Sequence, residues 1–209
     1  MKTGIKDLDG IFQYGNEITM IYGQAATGKT TLGKLVAIEQ AKNGNKVIFI
    51  DSEQGFSIDR FRQLSGPDYV KYLDNLIFFR PKSLKEQRKT IKELVPIVEA
   101  GKISLVILDT IGVHYRAELR QDEKYANKSI DEALKIFRWI NNKGIPVIMI
   151  NQVYSDLNNN IKNVGGNMIF DACNCVIQLE KDPRKIVIKK PGNKEVRFEI
   201  KENGILLVK

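Results

Sequence analysis

The chain has 209 residues, 43% hydrophobic and 28% charged, which suits one α/β domain with a substantial core spanning 1–209. No apolar run approaches the roughly 18 residues of a membrane span, and the opening Met1-Lys2-Thr3-Gly4-Ile5-Lys6 lacks the apolar stretch of a secretory signal, so a cytoplasmic protein is expected. The net charge is +8, and residues 181–209 hold nine Lys/Arg against four Asp/Glu, a balance that fits either a nucleic-acid partner or an ordinary lysine-rich surface.

In chain order, Ile18-Thr19-Met20-Ile21-Tyr22 is a β-prone apolar run. It leads into Gly23-Gln24-Ala25-Ala26-Thr27-Gly28-Lys29-Thr30, the full G-x-x-x-x-G-K-[ST] phosphate loop. Its glycines permit a tight turn whose N–H groups surround a phosphate chain. Lys29 reaches the β- and γ-phosphates, Thr30 offers a hydroxyl to Mg²⁺, and a helix from Thr31 onward adds its N-terminal dipole. The cofactors expected are therefore ATP and Mg²⁺, held by the segment Gly23 to Thr31.

Lys46-Val47-Ile48-Phe49-Ile50-Asp51, Leu76-Ile77-Phe78-Phe79 and Ser104-Leu105-Val106-Ile107-Leu108-Asp109 read as buried parallel strands. Residues 83–100 read as a helix that Pro96 should kink or break. The longest helix spans about 122–143, with Ala126, Ile130, Ala133, Leu134, Phe137 and Ile140 on one face and Gly144 ending it. Ile145 to Ile150 is a fourth strand with Pro146 at its start. Asn158-Asn159-Asn160 marks a loop within 153–166. Cys173 and Cys175 are too close for an unstrained disulfide and read as buried thiols. Residues 185–189 and 195–200 alternate at period two around Pro191-Gly192-Asn193-Lys194, an antiparallel hairpin, and 204–208 adds a last strand.

Several side chains near strand ends carry chemistry. Asp109 closes an apolar strand and is the candidate Mg²⁺-linked acid beside Thr30. Glu53, in the turn after the second strand, is placed to orient or deprotonate a water. Gln152, just past the fourth strand, has an amide suited to sensing a γ-phosphate. Tyr115, Arg116 and Arg120 follow the third strand, and Tyr154 and Lys162 lie in the 153–164 segment. These are candidate contacts to DNA bases and phosphates, with a solvated surface as the alternative.

These residues also carry a resemblance. Thr3 to Asp9 resembles the opening of a RecA-type ATPase core. Asp51 to Arg60 resembles the acidic segment of archaeal and eukaryotic recombinases. Tyr115-Arg116-Ala117-Glu118 resembles their first DNA loop, and Asn151-Gln152-Val153 with Gly165-Gly166-Asn167 the borders of the second. The likeness runs from about residue 3 to 205. It implies a RecA-like P-loop α/β fold: a mostly parallel sheet flanked by helices, with an antiparallel C-terminal hairpin. It also implies Glu53, Lys29 and Gln152 as the catalytic group, and Arg60 packed on adenine. The partners it implies are single- and double-stranded DNA and a RadA-type recombinase. No separate N-terminal DNA-binding domain or subunit hook is visible. Lys189-Lys190-Pro191 stands where the family carries an acidic ATP cap. A weakly hydrolysing accessory of recombination and repair without strand exchange is expected, with a KaiC-like ATPase acting on a protein partner as the alternative.

Overall fold

A computed structural model describes Ile5, Asp9 and residues 17–155, 161–163, 166–192 and 194–208. Its centre is explained by the strand β4 (Ile103–Asp109), whose residues 105–108 are wholly buried. Side chains alternate across a strand, so Leu105 and Ile107 enter one apolar cluster while Val106 and Leu108 enter another on the opposite face. A strand apolar on both faces must lie inside a sheet covered on both sides.

The sheet has the order β10-β9-β8-β7-β1-β5-β4-β2-β3, with β6 paired to the end of β5. Here β1 is Ile18–Gly23, β2 Lys46–Asp51, β3 Leu76–Phe79, β5 Val147–Ser155 and β6 Ile161–Asn163. Strands β7 (Cys175–Lys181), β8 (Arg184–Lys190), β9 (Lys194–Lys201) and β10 (Gly204–Val208) complete it. The contacts from β7 through β1, β5, β4 and β2 to β3 are parallel, and those from β7 to β10 are antiparallel. The expected hairpin is thus part of a larger antiparallel wing. One face packs α1 (Lys29–Lys42) and α2 (Ile58–Ser65), with the short α3 (Tyr69–Leu73) alongside. The other packs α4 (Leu84–Glu99), α5 (Gly112–Leu119), α6 (Glu123–Asn142) and α7 (Gly166–Ala172).

The long helix follows its pattern closely. All six apolar positions expected on its inner face are buried. Asp122 caps it by accepting the Tyr125 N–H at 2.9 Å, and Gly144, with φ 82°, lies just beyond its end. Of the two outcomes expected at Pro96, a break does not occur: α4 continues through it to Glu99. Pro96 is exposed, while Leu94 and Val98 are buried on either side of it.

The tract Asn158-Asn159-Asn160 lies outside the described residues. Its flanks pair as a short hairpin, Val153–Ser155 against Ile161–Asn163. Cys173 and Cys175 are buried free thiols; burial pushes them up to about 12 and about 11. Among the described residues no helix is long and apolar enough to cross a membrane.

Phe137 is fully buried in the centre of α6. Phe137→Ala should cost about 3–5 kcal/mol in a urea unfolding experiment. A loss under about 1 kcal/mol would contradict this packing.

Candidate nucleotide-binding site

Parallel pairing brings four strand ends to one edge. Gly23 of β1 is the register partner of Gln152 in β5, and Asp51 of β2 is the partner of Asp109 in β4. Open parallel sheets bind ligands in the crevice beyond such carboxyl ends. Here the strand ends alone bring together residues up to 129 positions apart in sequence.

The loop between β1 and α1 needs both of its glycines. A Cβ on Gly23 would lie 2.3 Å from the Leu179 carbonyl oxygen. Gly28 has φ +103°, and a Cβ there would lie 2.9 Å from Ile200 Cδ1. The turn is held by the Thr27 hydroxyl and the Lys29 ammonium, which donate to the Gln24 carbonyl at 2.9 and 2.8 Å. Burial lowers the Lys29 pKa against the opposing pull of Asp109 and Glu53. A cavity of about 330 Å³ opens over Ala25, Ala26 and Gly28 to Thr31, closed by Glu53, Asp109, Thr110, Gln152 and Ile200.

Asp51 and Asp109 are buried neighbours with different tasks. Asp51 accepts the Gly55 and Phe56 N–H groups, one on each oxygen, both at 3.0 Å, with Arg80 Nε at 3.5 Å. That folds the turn after β2 back on itself and aims Glu53 at the cavity. Glu53 Oε1 accepts from Gln152 Nε2 at 2.5 Å and from the Thr110 hydroxyl at 3.4 Å. Asp109 hydrogen-bonds Thr30, yet its buried Oδ1 has no hydrogen-bond partner. Burial pushes its carboxyl up to about 6; Glu53 and Asp51 add to this, while Thr30 and Lys29 oppose it. A buried acceptor without a donor is costly. Asp109 and Thr30 would hold a hydrated divalent cation, whose water would supply the donor that oxygen lacks, so these residues fit Mg²⁺. The loop of N–H groups and Lys29 fits phosphate equally well.

Other expected residues are placed differently. Gln152 lies inside β5 rather than past it, because β5 runs on to Ser155 to pair with β6. Arg60 does not line the cavity. Its guanidinium donates to the Lys201 and Glu202 carbonyls at 2.9 and 2.8 Å, tying α2 to the β9–β10 turn. Tyr115 is on α5, only 6% exposed, and its hydroxyl donates to Asn127 Oδ1 at 2.8 Å. That geometry corrects the expected stacking role, since a buried ring offers no face to a base. Arg116 on α5 and Arg120 at its C-cap line a second hollow of about 260 Å³ that shares Glu53, Thr110 and Gln152 with the first. Tyr154 and Lys162 are register partners in the β5–β6 hairpin, and their side chains lie outside the described residues.

Sequence reasoning missed four contributors. Thr110 and Ile200 close the cavity, Asp51 shapes the Glu53 turn, and Arg184 donates to the Ala26 carbonyl at 3.0 Å. The strand-end acid two residues before Glu53 was the available signal for Asp51. Ile200 and Arg184 carry no local signal, since their partners lie more than 150 residues away.

A phosphate loop on the central strand, a strand-end acid paired with its threonine, and a carboxylate–amide pair opposite define a RecA-type nucleotide-binding core. A family model described as Rad51 matches residues 1–207. The chain is 34% identical to the DNA repair and recombination protein RadB of Thermococcus onnurineus, over 98% of this chain and 96% of that one. It is 33% identical to RadB of Pyrococcus abyssi, over 98% and 93%. A crystal structure of the RadB recombinase superposes with a TM-score of 0.82 at 32% identity, covering 98% of this chain and 97% of that one. The chain belongs to the Rad51 family, in its RadB group.

Asp109 has a pH signature. Its folded pKa, about 6, lies above the ordinary carboxylate value of 3.8, so the native form holds the proton more tightly. Its contribution to stability therefore falls as pH rises from about 4 to 6. Asp109→Asn should gain over the parent across that window and stay ahead above it, by on the order of 1–3 kcal/mol in metal-free protein. Denaturant melts from pH 4 to 8 check this; a constant difference between the two proteins would contradict it.

Proposed function

We propose that this chain binds MgATP and DNA as an accessory of homologous recombination and repair, hydrolyses ATP slowly, and does not exchange strands itself. The observation that carries the reading is the meeting of Glu53 and Gln152, 99 residues apart, over the loop of Lys29 and Thr30. ATP with Mg²⁺ supplies a phosphoanhydride bond and a charge that offsets the negative oxygens as it breaks. Lys29 and the N–H groups of the Gly23-to-Thr31 segment hold the phosphates. Thr30 and Asp109 hold the cation's shell. Glu53 orients a water and accepts its proton, and Gln152 positions that carboxylate.

Slow turnover is supported by two features. Glu53 is engaged by Gln152 and Thr110, so a water must compete for it. Lys189-Lys190-Pro191 offers no acid to cap a neighbouring subunit's nucleotide. The Lys190 ammonium instead donates to the Phe170 carbonyl at 3.1 Å and lies over that ring. The likeness to RadB proteins named for DNA repair and recombination supports a DNA partner, and a RadA-type recombinase as the protein partner. Arg116 and Arg120 are the phosphate contacts we assign, together with Tyr154 and Lys162 on the β5–β6 hairpin. A cytoplasmic location accords with both partners.

Purified Lys29→Ala should lose MgATP binding. Glu53→Gln should keep it and lose hydrolysis by ~10²–10⁴-fold. Unchanged turnover in Glu53→Gln would overturn its role. Arg116→Ala should weaken DNA binding and flatten the log–log salt dependence by roughly 0.7–0.9, with ATP affinity intact. Binding equal to the parent at every salt concentration would remove α5 from the DNA surface.

A further inference from the structure

Helix α1 buries a second lysine, five residues beyond Lys29, that does not line the nucleotide cavity. Lys34 is 3% exposed, and its Nζ lies 4.6 Å from the centroid of the Phe56 ring. Desolvation lowers its pKa, Asp109 and Asp51 counter that, and Arg60 adds to it. An ammonium in such a place is costly, and an apolar side chain of similar length would pack there without the penalty.

Phe56 is the other end of the contact, and it belongs to the turn that carries Glu53. Its N–H donates to Asp51 Oδ2, and its ring packs against Phe78, Phe49 and Phe61 at centroid distances of 4.5, 5.2 and 5.5 Å. A cation facing an aromatic ring in a desolvated site is a strong version of that interaction. Lys34 therefore touches the turn through Phe56, and its charge faces the Asp51 carboxylate that accepts the turn's two N–H groups.

We propose that Lys34 is a positioning residue: its buried ammonium draws Phe56 onto α1 and balances Asp51 and Asp109, so that the 52–57 turn keeps Glu53 over the nucleotide cavity. The inference rests on the reading of Glu53 as the water-orienting carboxylate, but its structural half stands without that reading. Lys34 links the helix that begins at the phosphate loop to the turn opposite. It spends buried charge on geometry rather than on stability.

The test uses Lys34→Met in the full chain, which keeps the side-chain length and removes the charge. Backbone amide exchange should quicken about tenfold or more at Gly55 and Phe56, with the α1 and β4 amides within about twofold of the parent. The melting temperature should stay level or rise. MgATP affinity should stay within about threefold while turnover falls about tenfold. Phe56→Leu should reproduce both effects, and the double variant should add little to either single one. Unchanged exchange at Gly55 and Phe56 would overturn the proposal. A lower melting temperature with faster exchange throughout the core would also overturn it, since Lys34 would then be a core-filling group. If Glu53→Gln hydrolyses ATP like the parent while Lys34→Met still frees those two amides, Lys34 keeps its positioning role and the hydrolytic reading of Glu53 falls.

Discussion

Two carboxylates buried side by side at the ends of β2 and β4 set the terms for everything around them. Asp51 and Asp109 are register partners, 1% and 3% exposed. Charges so placed need compensation in a medium that screens them poorly. Asp51 takes it from two N–H groups and Arg80. Asp109 takes less: the Thr30 hydroxyl, the Lys29 field, and one oxygen with no hydrogen-bond partner. The first acid is spent on shape and the second is held short of donors. That asymmetry separates a structural aspartate from one suited to a cation, although both read as the last residue of an apolar strand.

The antiparallel wing turns this crevice into a walled site. Phe198 and Ile200 of β9 lie against Gly28, whose φ of +103° favours glycine there in its own right. Arg184 fixes the Ala26 carbonyl, and Arg60 fixes the turn that follows β9. The phosphate loop is thus braced by strands from the far end of the chain. A change in the wing should be felt at the loop, and a change at the loop should be felt in α2.

The elements legible from the sequence were those whose pattern is local. The six-residue stripe of α6, the doubly apolar strands and the phosphate loop each contain their own explanation. Helices α2, α3 and α5 are eight residues or fewer and bury two side chains, none and one, so each holds too short a pattern to announce itself. That is why Tyr115 and Arg116 were read together. On a helix, neighbours point about 100° apart, and here one enters the core while the other faces the hollow by Glu53. At Pro96 the local rule removes one hydrogen bond without ending the helix, which continues to Glu99 with Leu94 and Val98 buried on either side. The union of Glu53 with Gln152 was legible only as two strand ends. Their contact follows from the sheet order, which brings Gln152 of β5 beside β4 and so within reach of the turn after β2.

The central claim is that Asp109 is held partly protonated without a cation and gives up that proton when MgATP binds. Calorimetry of MgATP binding near pH 6, in buffers of different ionisation enthalpy, reads this directly. The account predicts proton release by the parent that exceeds release by Asp109→Gln or Asp109→Asn by about half a proton per site near pH 6, with the excess fading by pH 8. Equal proton release in parent and variants across that range would contradict it.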